Sequence, residues 1–233
     1  MNLNELRSNC TLIFFPAFCF LEKPLYFFNS IMSLEVVYFP VGDLQANTII
    51  VSDPKTKDAV IFDAGGNIPK ILDAVKKADV KVHHVYYTHG HFDHVDLSGV
   101  LAKELQCPVT LHPADNDLYR NSPTLMRMLG VKCSFATVPP VDVHHEGDKI
   151  RVGDVEGVIL HTPGHSPGSC SFSFPNLLIS GDTLFQGNYG RTDLPGGSME
   201  QLRKSIKETL FSLPDSTRII CGLLFISCKE FHF

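Results

Sequence analysis

From position 34 onward the apolar residues fall into short runs separated by glycine, proline and aspartate. The runs Val36-Val37-Tyr38-Phe39, Thr48-Ile49-Ile50-Val51 and Ala59-Val60-Ile61-Phe62 are β-branched or aromatic, and Gly42, Asp53-Pro54 and Gly65-Gly66 punctuate them, the pattern of short strands. Over 68–78 the period changes: Ile71, Leu72 and Val75 share one face, which predicts a helix. A strand follows over 82–87 and a helix over 97–105, where Leu97, Val100, Leu101, Ala102 and Leu105 are spaced for burial. After a strand over 108–111, the stretch 114–130 reads as helical or irregular around Pro123. Strands then dominate, over 149–152, 155–161, 169–174 and 177–180, and a helix over 199–211 precedes a last strand over 217–221. Strand blocks each followed by helices predict an α/β fold, two β-sheets covered by helices.

The two ends depart from this pattern. Residues 1–31 are expected to be an N-terminal extension, with Met32 opening a domain over 32–222 and an atypical tail over 223–233. The apolar run from position 11 to 21 is shorter than the ~20 residues a bilayer span needs, and Pro16 interrupts it. An appended segment is the expected reading, with targeting to an organelle or the secretory route as the alternative. Lys and Arg total 20 against 25 Asp and Glu, a formal charge of −5. That balance lacks the basic excess of a nucleic-acid partner. Seven cysteines form no Cys-x-x-Cys pair. Cys107, Cys133, Cys170 and Cys221 lie in or beside predicted strands, where a thiol behaves as a small buried hydrophobe. A reducing compartment, the cytoplasm, fits that usage best.

The chemistry is concentrated at strand ends. Thr88-His89-Gly90-His91-Phe92-Asp93-His94 follows an apolar strand, and in extended chain His89 and His91 project to one side, with Asp93 and His94 in the turn beyond. Imidazole and carboxylate together suit zinc, iron or manganese. Pro163-Gly164-His165 places another histidine in a rigid turn after a strand, and Ser180-Gly181-Asp182 sets a carboxylate directly after a buried one. A carboxylate there is costly unless paired or bound to a cation.

These segments resemble the metallo-β-lactamase superfamily, and within it the single-domain glyoxalase II-like hydrolases. The segment from Phe39 to Ile50 and Gly190-Arg191-Thr192-Asp193 resemble that branch too, and the likeness runs from about Leu34 to Gly222. It implies an αββα sandwich of two mixed sheets and two metal ions, zinc in the family pattern. By the same resemblance His89, His91 and His165 hold the first ion, Asp93 and His94 hold the second, and Asp182 bridges them. Asp93 is also expected to orient the nucleophile in catalysis. Asp63, after the strand over 59–62, is read as a partner that orients the histidine loop.

One departure matters. In the family the last strand runs into Gly-His-Gly-Pro, whose histidine completes the second site, whereas here Cys221-Gly222 is followed by Leu223-Leu224-Phe225-Ile226. The second site is therefore expected to be weak, His232 is a poor substitute, and an alternatively spliced or mis-read end is the expected cause. Among the other histidines, one of His83 and His84 is expected to face solvent, His144 and His145 to lie on the surface, and His112 to sit near the pocket. The resemblance implies thioester hydrolysis of a small-molecule substrate such as S-lactoylglutathione. Two alternatives stand beside it: a mononuclear-iron persulfide dioxygenase using His89, His165 and Asp182, or an inactive truncated isoform.

Overall fold

A computed structural model describes residues 13–14, 25–27, 34–128, 130 and 142–223. Two mixed sheets carry the architecture. In the first, Glu35–Val41, Ala46–Ser52 and Asp58–Phe62 form an antiparallel meander. Lys81–Tyr86, Val109–Leu111 and Asp142–Val143 then add on in parallel, one after another. In the second, Lys149–Val152, Val155–His161, Cys170–Phe174 and Leu177–Gly181 run antiparallel, and Arg218–Cys221 lies parallel to Leu177–Gly181. Two short strands from the segment ahead of Met32 edge these sheets: Leu25–Phe27 beside Glu35–Val41, and Ile13–Phe14 beside Arg218–Cys221. The rest of that segment, Cys133 and His232 lie outside the described residues.

Alternation along the strands sorts side chains into layers. Val36, Tyr38, Ile49, Val51, Val60 and Phe62 face Ile150, Ile159, Phe172, Phe174 and Ile179 of the other sheet. Their neighbours Val37, Phe39, Ile50 and Ile61 face the opposite way and pack with Ile68, Ile71, Ala74 and Leu101. On the far side of the second sheet, Leu178 and Ile219 meet Leu202, Ile206 and Leu210. Helix, sheet, sheet, helix: the αββα sandwich follows from a period of two in strands and of 3.6 in helices. Burying each large apolar side chain contributes about 1.5–3 kcal/mol, so the inter-sheet layer holds the strand ends at a fixed separation.

The predicted helix over 68–78 is present as Ile68–Ala78, opened by Asn67, whose side chain accepts from Lys70 N, and by Pro69 in the first turn. The helix predicted from position 97 starts one residue later, as Ser98–Leu105, because Leu97 is left-handed at φ 62°. The stretch around Pro123 is a helix, Asn116–Met128, behind a short 3-10 turn at Pro113–Asp115. The helix over 199–211 is α only through Lys204 and ends in wider and then tighter turns to Ser212. A hairpin of Leu184–Phe185 and Asn188–Tyr189 was too short to show in the sequence pattern. Cys107 and Cys170 are buried free thiols. Among the described residues no helix is long and apolar enough to cross a membrane.

Candidate metal centre

Five loops meet at one edge of the sandwich, each leaving the C-terminal end of a strand. Asp58–Phe62 leads to Asp63, Lys81–Tyr86 to the histidine loop, Val155–His161 to His165, Leu177–Gly181 to Asp182 and Arg218–Cys221 to Gly222. Two backbone bonds tie the sheets together here, Cys170 N donating to Thr88 O (2.8 Å) and Asn47 N to Gly222 O (2.7 Å), and Ala64 N to His94 O (2.8 Å) joins two loops of the first sheet. Instead of a simple turn, Phe92–Val95 forms a single helical turn with extended His91 at its start. Gly65 has no alternative beside it, since a Cβ there would lie 1.5 Å from the Asp93 carbonyl oxygen.

The structure brings the predicted residues together. Ligand atoms of His89, His91 and His165 lie within 4.8 Å of one another, and so do those of His89, His94 and Asp182. His91 Nδ1 and His165 Nε2 face each other at 2.9 Å. Asp182 sits between the histidines, with Oδ1 3.6 Å from His94 Nε2 and Oδ2 3.7 Å from His165 Nε2. Asp93, at the rim, has Oδ2 3.6 Å from His94 Nε2.

Three of the four rings are turned by a partner on the far side. Asp63 accepts from Thr88 N (2.8 Å), Thr88 Oγ1 (2.9 Å) and His94 Nδ1 (2.8 Å). Because the Thr88 hydroxyl hydrogen goes to Asp63, its oxygen is left to accept from His89 Nδ1 at 3.0 Å. His165 Nδ1 donates to the Arg191 carbonyl at 2.8 Å. These bonds assign the inward nitrogens of His89, His94 and His165 as bare lone pairs, the form a cation needs.

Electrostatics agree with that geometry for His89 and His91, while at His94 the three carboxylates favour positive charge, which the ring itself carries unless a cation supplies it. Burial, reinforced by the neighbouring imidazoles, holds His89 and His91 well below the usual histidine range. Burial also opposes charge on His94, but Asp182, Asp93 and Asp63 outweigh it and push the group up to about 10. Burial raises Asp182, against the pull of His94 and His165.

One positioning residue escaped the sequence reading. Asp115 is fully buried, and its carboxylate accepts from Gly90 N (2.8 Å), Ser166 Oγ (2.6 Å) and Gly168 N (2.6 Å). It ties the histidine loop to the His165 turn, two segments that share no strand. Its only signal was its place after His112-Pro113, at the end of a strand.

The remaining histidines lie apart from the centre. His83 is exposed and bonds Asp58 at 2.6 Å, while His84 is half-buried, so one of that pair does face solvent. His112 stacks on His161 at 4.2 Å. His144 corrects the surface reading: it is 3% exposed, packed beside Phe172, whereas His145 is exposed. Burial, then the nearby His112, His84, His145 and His161, hold His144 down to about 3. An unfolded histidine titrates near 6.5. The stabilisation from a neutral His144 is therefore complete above pH ~6.5 and is lost as pH falls toward 3. In metal-free protein, urea midpoints should fall between pH 6.5 and 4.5, and His144→Gln should reduce the slope by up to about 1.4 kcal/mol per pH unit. An identical slope in the variant would remove His144 as the cause.

A family model for the metallo-beta-lactamase superfamily matches residues 41–222. The chain belongs to that superfamily. A probable metallo-hydrolase of Bacillus subtilis, YqgX, is 38% identical over 191 residues, covering 78% of this chain and 87% of the relative. The hydroxyacylglutathione hydrolase GloC of Haemophilus influenzae is 31% identical over 194 residues, covering 82% of this chain and 90% of the relative. A crystal structure of TTHA1623 in a di-iron-bound form matches with a TM-score of 0.70 and 36% identity, covering 78% of this chain and 89% of that one. The structure of ETHE1 from Myxococcus xanthus matches at 0.64 and 29%, covering 81% and 76%. The superfamily fold carries divalent metals and hydrolytic chemistry, and the histidine cluster fits such a site.

Proposed function

We propose that this superfamily member is a metal-dependent thioester hydrolase of the glyoxalase II type, acting on small acyl thioesters of the S-lactoylglutathione kind. The observation that carries the reading is a set of buried polar atoms without hydrogen-bond partners at one point: His89 Nε2, His94 Nε2 and Asp182 Oδ1. Leaving such atoms unpaired costs about 1–3 kcal/mol each, and a divalent cation satisfies all three. The donors fit zinc, and equally iron or manganese. His89, His91 and His165 are the ligands proposed for one ion, Asp93 and His94 for a second, with Asp182 between. That the GloC relative is a hydroxyacylglutathione hydrolase supports the substrate class.

When bound, such ions supply a water with its pKa lowered toward about 7 and a positive charge for the developing oxyanion. The chain supplies the rest. Asp63, bonded to Thr88 Oγ1 and to His94 Nδ1, turns Nε2 of His94 and, through Thr88, Nε2 of His89 toward the centre. Asp93, with its side chain 15% exposed, is the carboxylate at the mouth and is placed to accept a proton from the attacking water. The departing thiol, with a pKa of about 8.5, leaves as thiolate and needs no strong acid from the protein. The second site is short of a ligand. A Cβ on Gly222 would lie 2.2 Å from Asp182 Oδ1 and 2.9 Å from His94 Cε1, so the chain reaches the centre there, but the next residue is Leu223.

A persulfide dioxygenase is the second reading. It is favoured by the buried set His89, His165 and Asp182, with His165 3.7 Å from Asp182, which needs no further histidine. Thiol release from S-lactoylglutathione by zinc-loaded protein is the expected result. Oxygen uptake with glutathione persulfide by iron-loaded protein, without thiol release, would instead establish the dioxygenase.

A further inference from the structure

Asp63 holds the ring of His94 directly and that of His89 through Thr88. His91 has no such partner: among the described residues its ring makes one hydrogen bond, to His165. Its place is set through the backbone instead, because Gly90 N, one residue earlier, donates to Asp115 at 2.8 Å. The same carboxylate takes Ser166 Oγ and Gly168 N, both just after His165. The approach leaves no room for a side chain. A Cβ on Gly168 would lie 2.7 Å from Asp115 Cγ, and one on Gly90 2.9 Å from the Asp115 carbonyl oxygen.

A second contact joins the turn of Asp115 to the turn of His165. His112 opens the turn Pro113–Asp115, its Nδ1 accepting from Ala114 N at 3.3 Å and its carbonyl from Asp115 N at 3.0 Å. Its ring stacks on that of His161 at 4.2 Å, with the planes 12° apart. His161 Nε2 in turn donates to Pro167 O at 2.9 Å, two residues past His165. Both rings are half-buried, and neither belongs to a ligand group. We propose that Asp115 and the His112–His161 stack form one clamp that sets the spacing of His91 and His165 and so positions the first metal site separately from the second. The clamp has this role only if the ligand assignment proposed above holds. Its physical basis is that the two turns share no strand, so these contacts alone resist their drift, and an ion tolerates little error in the distance between its donors. Asp93, His94 and Asp182 lie outside the clamp and keep their own supports.

Zinc delivered from a chelator buffer, and followed by the imidazole nitrogen NMR signals of His91, His165 and His94, reads the two sites separately. Asp115→Asn keeps the size of the side chain but puts a donor where an acceptor stood. The zinc concentration at the midpoint for His91 and His165 should then rise about 10–100-fold. That for His94 should move far less, since Asp63 still holds its ring. His161→Phe keeps the stack and loses the bond to Pro167, whereas His161→Gln keeps a donor and loses the stack. Each should raise the first midpoint about 3–10-fold. His161 is half-buried at a strand end, so these variants decide the matter even where Asp115→Asn does not fold. Equal movement of His94, which a general loosening of the fold would give, overturns the clamp and leaves the centre standing. So does a set of midpoints that match the parent's. If zinc shifts none of the three rings in the parent, the centre falls and the clamp with it. Zinc bound as expected, with no thiol released from S-lactoylglutathione, would leave the clamp intact and end the thioesterase reading.

Discussion

Replacing His89 with alanine is expected to lower thioester turnover by roughly three orders of magnitude, about 4 kcal/mol of transition-state stabilisation. His89 is the one residue common to both ligand groups, so its loss takes a donor from each. Its Nε2 has no partner within the protein, so nothing in the fold depends on that atom. The ring packs among His91, His94 and His165 at centroid distances of 4.1 to 4.8 Å, outside the apolar layers that hold the sheets. The far-ultraviolet dichroism of the variant should match the parent, and its retained metal after dialysis should fall. His83→Ala, on an exposed ring bonded to Asp58, is the control and should change neither. Full turnover in metal-replete His89→Ala would sink the proposed centre.

The second large effect is a gain. Leu223→His should let the protein retain a second zinc equivalent through dialysis, where the parent retains one, and should raise thioester turnover. Position 223 follows the glycine that packs on Asp182 and His94, and the strand is pinned there by Asn47, which donates from Nδ2 to Cys221 O at 2.8 Å. Leu223 itself bridges to Ala46, so the backbone is fixed at the residue to be changed. A side chain that touches the metal should alter affinity well beyond the roughly 10–100-fold of changes one contact further out. Metal that binds only the folded chain also stabilises it, so Tm in zinc should rise. Metal analysis showing one equivalent in both proteins would mean that residue 223 does not address the second site.

Much of this centre was legible because its parts are local. The histidine loop spans seven consecutive residues, 88–94, and its spacing alone fixes which side chains share a side. Asp182 stood out because a carboxylate directly after an apolar strand is costly without a partner. Asp63 was legible by the same logic. Asp115 was not, since it is one acidic residue among 25, and its three donors come from segments 25 to 53 residues away. His144 misled for a related reason: the turn residues Glu146-Gly147-Asp148 beside it mark a surface loop, yet the ring folds back under the strand of Thr110, 34 residues earlier.

The sequence by itself determined the strands, the main helix, the α/β class of two helix-covered sheets and which side chains are candidates to hold a metal, because strand and helix periods and ligand chemistry act over a few neighbours. Only the tertiary structure decided that His91 and His165, 74 positions apart, face each other at 2.9 Å, and that His89 belongs to both groups. It alone brought Asp115 under both the histidine loop and the His165 turn. Those relations depend on how two separately formed sheets stack and which strand ends they bring level. That alignment is fixed by inter-sheet packing of residues such as Phe62 on Phe172, 110 positions apart with ring centroids at 4.7 Å, a contact no local pattern encodes.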